Sequence, residues 1–133
     1  MSVVLKLVIL FSMFFCHIVD DYYLQGILAQ MKQRGWWEEH APASLYQNDY
    51  KMALVEHAFS WAFMMTLPLL AAGLLTSNVS LLRLALCSYV INTPVHAFID
   101  DMKANQQKIN LMIDQSVHFA QIIATWGLAA AIM

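Results

Sequence analysis

Apolar residues along this chain gather into four long runs that short polar segments separate. The runs cover residues 2–31, 52–75, 81–100 and 109–133, and the first ends in a polar and aromatic extension. Each contains about 20 residues of mainly apolar character, the length that an α-helix needs to cross a bilayer. Leucine and methionine are frequent and no period-two alternation appears, which favours helices over membrane β-strands. The pattern therefore predicts an all-α integral membrane four-helix bundle, in a single domain of residues 1–133.

Composition agrees with a chain surrounded mostly by lipid. Hydrophobic residues make up 60% of the 133 positions and charged residues 12%, and the mean hydropathy is +0.56. A soluble domain carries about 25% charged residues. The net charge of −2 argues against a nucleic-acid partner and the apolar content against a disordered tail. The expected partner of the surface is therefore membrane lipid.

Basic residues predict the orientation of the bundle. They flank the loop between the first two runs and occupy the link between the last two; the residues are Lys32, Arg34, Lys51, Lys103 and Lys108. Loops rich in lysine and arginine stay on the cytoplasmic side. We therefore expect this loop and this link in the cytoplasm and both chain termini on the outer side.

Histidine and aspartate recur four residues apart in three of the four predicted helices. Residues at this spacing share a helix face, and the remaining helix contributes a further histidine. The set consists of His17, Asp21, His57, His96, Asp100, Asp114 and His118. In an antiparallel bundle all of them fall in the cytoplasmic half, because they lie near the helix ends on that side. Ionisable residues at this depth usually face the bundle interior and mark a functional site.

Imidazole and carboxylate groups together suggest a divalent metal site built from all seven residues. These ligands suit zinc, iron or manganese, and similar ligand spacings recur in helical-bundle metal sites. Zinc is the first expectation. The set exceeds the four ligands of one tetrahedral zinc, so we expect one ion or a pair that shares a carboxylate. A pair could generate hydroxide at neutral pH and hold a phosphoryl or acyl group. The sequence thus predicts a metal-dependent hydrolase of a lipid or phosphate-containing substrate at the cytoplasmic membrane face.

Metal-free alternatives remain open for the same residues. They could form an ion or proton path, or they could hold the helices together in a non-enzymatic protein that binds another membrane protein. A path should continue toward the outer face. There the sequence offers only Gln121 and Thr125 on the fourth helix and Ser12 and Lys6 on the first.

Three neighbouring residues are candidates for catalytic roles. Gln25 and Gln115 could orient ligands or donate to a substrate oxygen, although glutamines also serve as ordinary interhelical donors. Lys103 lies one turn beyond Asp100 and could neutralise a phosphate or a headgroup; the alternative is an ordinary interfacial lysine.

Two further features have simpler interpretations. Asp20 and Asp101 project about 100° away from their neighbouring aspartates, so we expect them to support the site or to face solvent. The aromatic and methionine tract that contains Trp61 is expected to fill the core or to face lipid.

The ordered motifs resemble the bacterial and phage membrane proteins classed as domain of unknown function 3307. The matching pieces are His17-x3-Asp21-x3-Gln25, Lys51-x5-His57, His96-x3-Asp100-x2-Lys103 and Asp114-Gln115-x2-His118. The resemblance implies a multi-pass protein of the bacterial inner (cytoplasmic) membrane and assigns no activity. More loosely, the pattern is similar to small multipass proteins described as membrane-bound metal-dependent hydrolases. Four helices of this length bury little core, so a homo-oligomer is also expected.

Overall fold

The computed structural model describes residues 1–133 and is built from helices. The α-helices are α1 (Val3–Val19), α2 (Leu28–Met31), α3 (Arg34–His40), α4 (Asp49–Leu75), α5 (Val79–Ala104) and α6 (Leu111–Ile132). A π-helical turn, Asp20–Leu24, continues α1, and a 3₁₀ turn, Ser44–Tyr46, precedes α4. The all-α prediction is confirmed. The segment expected as a loop between the first two runs contains α3, and the first predicted helix is interrupted after Leu24.

Local side chains define where three of the four long helices begin. Free backbone N–H groups at a helix N-terminus need acceptors, and serine and asparagine supply them. Ser2 caps α1, Asn78 caps α5 and Asn110 caps α6, each by accepting a hydrogen bond from the backbone three residues later. Helices α4 and α5 continue through Pro68 and Pro94, as helices in membranes often do.

The four long helices pack around α4. It contacts α1 on one side and α5 on the other, and α5 also contacts α6. Close approach of α4 and α5 depends on Gly73, because a Cβ atom there would lie 2.7 Å from Leu82 Cδ2. The apolar core is formed by Ile9, Met13, Trp61, Ala62, Met65, Leu69, Leu81, Ala85, Ile122 and Ala129.

Both chain termini lie together at one end of the bundle. The Met1 amino group donates to the Met133 backbone oxygen at 2.6 Å. Lys6 Nζ donates to the Ala130 backbone oxygen at 2.7 Å, and Trp126 Nε1 donates to the Lys6 backbone oxygen at 2.8 Å. The loop with α2 and α3 and the link between α5 and α6 therefore lie at the other end.

Three helical segments are long and apolar enough to cross a membrane: Val3–Leu24, Ser44–Leu75 and Val79–Ala104. The sequence predicted four. Helix α6 has 22 residues, a sufficient length, but Asp114, Gln115, His118 and Gln121 dilute its apolar character. Large apolar side chains such as Phe11, Phe59 and Ile123 are more than half exposed on the outside of the bundle, as expected for a surface that contacts lipid.

Candidate metal centre

The seven predicted ligand residues lie inside the bundle, and none of them is more than 7% exposed. They come from α1 and its π-helical turn, from α4, from α5 and from α6. His57 and His118 each lie about two helical turns from the start of their helix, so the cluster is about 12 Å inside the bundle end. Four separate chain segments thus place imidazole and carboxylate groups at one depth.

His57 lies among three of the other predicted ligands. Its Nε2 atom is 3.2 Å from Asp21 Oδ1, 3.4 Å from Asp100 Oδ2 and 3.2 Å from His96 Nε2. Two ligand atoms on one tetrahedral zinc ion, each about 2.0–2.2 Å from the metal, lie about 3.3–3.6 Å apart. The distances from His57 Nε2 are within about 0.1 Å of this range, so its neighbours are close enough to share an ion.

His118 occupies an equivalent position on the other side of Asp100. Its Nε2 atom is 3.4 Å from Asp100 Oδ1 and 3.5 Å from Asp114 Oδ1, and its Nδ1 atom is 3.1 Å from His96 Nδ1. The two oxygens of Asp100 therefore face two different histidines. The oxygen on the His57 side, Oδ2, also accepts a hydrogen bond from Lys32 Nζ at 2.6 Å.

Two overlapping groups of these residues could hold a metal ion. One consists of Asp21, His57 and His96, and the other of His96, Asp100 and His118. Within each group the potential ligand atoms lie within 4.8 Å of one another. Asp114 adds a carboxylate oxygen beside the second group.

Several buried polar atoms in the cluster have no hydrogen-bond partner. Asp114 Oδ1 and His118 Nε2 are two of them and face each other across 3.5 Å. Buried polar atoms without partners cost roughly 1–3 kcal/mol each. A cation bound by both atoms would satisfy them at once.

The charges of the cluster are also unbalanced. It holds four carboxylates, those of Asp20, Asp21, Asp100 and Asp114, against the ammonium groups of two lysines. The carboxylates therefore outnumber the ammonium groups by two. Uncompensated charge is costly in a poorly hydrated interior, and a divalent cation or protons on the histidines would balance it.

His17 lies in the cluster, but neighbouring side chains occupy both of its ring nitrogens. Trp61 Nε1 donates to His17 Nδ1 at 2.6 Å, so the ring carries its hydrogen on Nε2, which is 3.0 Å from Gln115 Oε1. An indole nitrogen can only donate, which fixes this tautomer. His17 belongs to neither of the two groups that could hold a metal ion. Its role is to hold the side chain of Gln115 through the Nε2–Oε1 contact.

The π-helical turn brings two consecutive aspartates to the cluster. The Gln25 backbone N–H bonds to the Asp20 backbone oxygen, five residues earlier. This wider turn lets Asp20 and Asp21 both face the bundle, and both are buried. Asp20 accepts a hydrogen bond from Ser60 at 2.6 Å and lies 3.8 Å from His57 Nδ1. A carboxylate behind a ligating histidine is a common support in metal sites. Asp20 therefore supports the cluster, whereas Asp101 bonds to Asn105 and Gln106 near the surface.

The three predicted catalytic residues line one cleft beside the cluster. Lys103 Nζ donates to Asp114 Oδ2 at 2.6 Å, and Gln115 Nε2 donates to Asp21 Oδ2 and Asp114 Oδ2 at 3.0 and 3.1 Å. Gln25 donates to the Asp21 backbone oxygen and leaves its own Oε1 buried without a partner. The cleft has a volume of about 380 Å³.

The cluster includes two side chains that the sequence did not assign to it. Lys32 is 7% exposed and donates to Asp100 Oδ2 at 2.6 Å. In the sequence it served only to predict the membrane orientation, and its spacing from the other residues did not indicate this contact. Trp61 is fully buried in the core, as predicted, and also orients His17. Its position four residues after His57, on the same helix face, is a signal that sequence reasoning could have used.

Comparison with known proteins found no matching family model, no matching curated protein and no matching solved structure. The family resemblance drawn from the motifs therefore stays a prediction.

Proposed function

We propose that the His/Asp cluster is a divalent metal centre, and that the protein is a metal-dependent hydrolase at the membrane. The observation that carries the proposal is the convergence of buried imidazole and carboxylate atoms at ligand-to-ligand spacing. Two of them, Asp114 Oδ1 and His118 Nε2, form no hydrogen bond and lie 3.5 Å apart. Zinc suits this nitrogen and oxygen set, and iron and manganese are the alternatives.

Hydrolysis is the chemistry that such a centre supports best. A bound divalent ion lowers the pKa of a water molecule enough to provide hydroxide near neutral pH, and a second ion can hold the reacting group. Asp100, which faces both His57 and His118, would bridge the two positions. Lys103, Gln25 and Gln115 border the cleft beside the ions, where they would contact a lipid or phosphate-containing substrate.

The topology supports four membrane crossings. Met1 and Met133 are hydrogen-bonded to each other, so both termini lie on one side. A chain whose termini share a side crosses an even number of times. Since three segments are apolar enough to cross, α6 would be the fourth. The basic loops support an orientation in which the metal centre would lie on the cytoplasmic side of a bacterial inner membrane and the termini on the outer side.

Metal analysis of the purified protein tests the metal centre. The full chain is purified in mild detergent without added metal and analysed by elemental mass spectrometry. We expect at least one divalent ion per chain, and loss of most of it in Asp100→Asn. Asp101→Asn is the matched control, because Asp101 is the adjacent carboxylate and bonds outside the cluster. Equal metal content in both variants would contradict the proposal.

Hydrolysis is tested with a simple soluble ester. The metal-loaded protein should release phosphate from para-nitrophenyl phosphate, and Asp100→Asn should abolish the release while Asp101→Asn retains it. A protein that holds metal but cleaves neither phosphate nor acyl esters would not be a hydrolase.

One chain of hydrogen bonds favours a proton path as a second candidate function. His118 Nδ1 lies 3.2 Å from Gln121 Oε1, Gln121 Nε2 donates to Asn92 Oδ1 at 2.9 Å, and Asn92 Nδ2 donates to Thr125 Oγ1 at 3.1 Å. This chain extends the cluster toward the middle of the bundle. Proton flux into liposomes containing the protein, abolished by Gln121→Leu and independent of chelators, would support this function over hydrolysis.

A further inference from the structure

Two lysines and the carboxylate of Asp21 line the cleft beside the cluster. Lys32 lies directly after the end of α2 and Lys103 lies on α5. Each ammonium carries three N–H donors. In the structure each uses one of them on a carboxylate of the cluster, Lys32 on Asp100 and Lys103 on Asp114. Remaining donors on two lysines beside a metal centre suit an anionic group such as a phosphate.

The glutamines of the cleft are less available to an anion. Gln115 already donates to two carboxylates, and the unpartnered atom of Gln25 is an acceptor. An acceptor beside a metal centre suits a water molecule. The lysines are therefore the groups that would hold the anion.

An apolar groove continues the cleft along the outside of α6. It is lined by Tyr22, Asn110, Leu111, Met112, Gln115, Ser116 and Phe119 and has a volume of about 580 Å³. Tyr22, Leu111 and Gln115 also line the cleft, so the two spaces adjoin. Between Leu111 and Phe119 the groove follows α6 for two turns, or about 12 Å. Met112 is 78% exposed, on the outside of a bundle that we place in lipid.

From the lysine-lined cleft and the apolar groove that adjoins it, we propose that the substrate is a phosphate ester of a membrane lipid. The phosphate lies between Lys32 and Lys103, and the hydrocarbon chain lies in the groove over Met112 and Ser116. This proposal rests on the proposed metal-dependent hydrolase function. In the reaction, the oxygen of a water molecule bonds to phosphorus, the ester P–O bond breaks, and a proton of that water moves to the lipid alcohol that leaves.

Filling the groove tests the proposal without touching the metal ligands. Ser116→Phe places an aromatic ring in the groove, and Ser116 bonds only to the Met112 backbone of its own helix. Ala124→Phe is the matched control, since it adds the same ring to an exposed position of α6 about two turns beyond Ser116 and outside the groove. Phosphatidic acid dispersed in detergent and water-soluble para-nitrophenyl phosphate are the two substrates, and phosphate release and metal content are measured.

We expect phosphatidic acid to be cleaved with a kcat/KM at least tenfold above that of para-nitrophenyl phosphate. Ser116→Phe should remove this preference, mainly by raising KM for phosphatidic acid, with unchanged metal content and a smaller effect on the soluble ester. Ala124→Phe should behave as the wild type. Equal cleavage of the two esters, an unaffected preference in Ser116→Phe, or release of fatty acid in place of phosphate would each overturn the lipid phosphate assignment and leave the hydrolase proposal standing. Absence of metal and of cleavage of both esters would overturn the hydrolase proposal itself.

Discussion

The indole N–H of Trp61 donates to His17 Nδ1 at 2.6 Å, across the interface between α4 and α1. This bond fixes the proton of His17 on Nε2, which points to Gln115 Oε1 at 3.0 Å. Gln115 in turn donates to Asp21 and Asp114. His17 thus acts on the cluster through a glutamine that holds two carboxylates in place, which separates it from His57, His96 and His118.

Replacement of His96 and replacement of His17 should affect metal binding differently. His96→Ala removes a residue shared by both metal-holding groups, so we expect loss of metal. His17→Phe should keep the metal and weaken its affinity by about 10- to 100-fold, as for other residues that orient ligands. Titration with zinc, followed by elemental analysis, measures both effects. Equal metal loss in the two variants would show that His17 is itself a ligand.

Metal removal should destabilise the bundle. The ligands come from four segments of the chain and carry an excess of negative charge, so metal binding contributes to the free energy of folding. Saturation at 100 times the dissociation constant would add ~2.7 kcal/mol. We expect dialysis against a chelator to lower the Tm and zinc to restore it. The same treatment of Asp114→Ala should have little effect, and an unchanged Tm of the wild type would contradict the prediction.

Lys103 and Gln25 should affect turnover more than metal content. Both line the cleft, and neither belongs to a metal-holding group. In Lys103→Gln and Gln25→Ala we expect kcat/KM for a phosphate ester to fall by about 10- to 100-fold with the metal retained. Lys108→Gln is the control, because Lys108 lies in the link just beyond α5 and does not line the cleft. Comparable losses in Lys108→Gln would point to a general effect of surface charge.

The bundle should have a single orientation in the membrane. Since Met1 and Met133 lie together and five of the seven lysines and arginines lie at the other end, both termini should face outward. In bacterial cells, alkaline phosphatase fused to Met133 should be active. A fluorescent reporter that works only in the cytoplasm, fused to the same residue, should not fluoresce. The reverse result would place the metal centre on the outer side. If phosphatase were active when fused to one terminus and inactive when fused to the other, the chain would cross the membrane an odd number of times, and α6 would not be a crossing helix.

The sequence by itself determined the helical architecture and which histidines and aspartates would turn into the bundle. Long apolar runs have few alternatives to helices in lipid, because every backbone polar group must be bonded within its own segment. Spacing of four residues puts His96 with Asp100, and Asp114 with His118, on common helix faces whatever the rest of the chain does. The polar side chains then turn inward because lipid solvates them poorly.

Tertiary structure decided the roles within that cluster. The rotation of the four helices against one another decides which oxygen of Asp100 faces which histidine. It also decides that Trp61, and not a metal ion, contacts Nδ1 of His17. The inward direction of Asp20 depends on a π-helical turn that no spacing rule indicates. Lys32 reaches Asp100 from 68 residues away, and a contact of that range is created only when the segment around α2 folds over the end of α5.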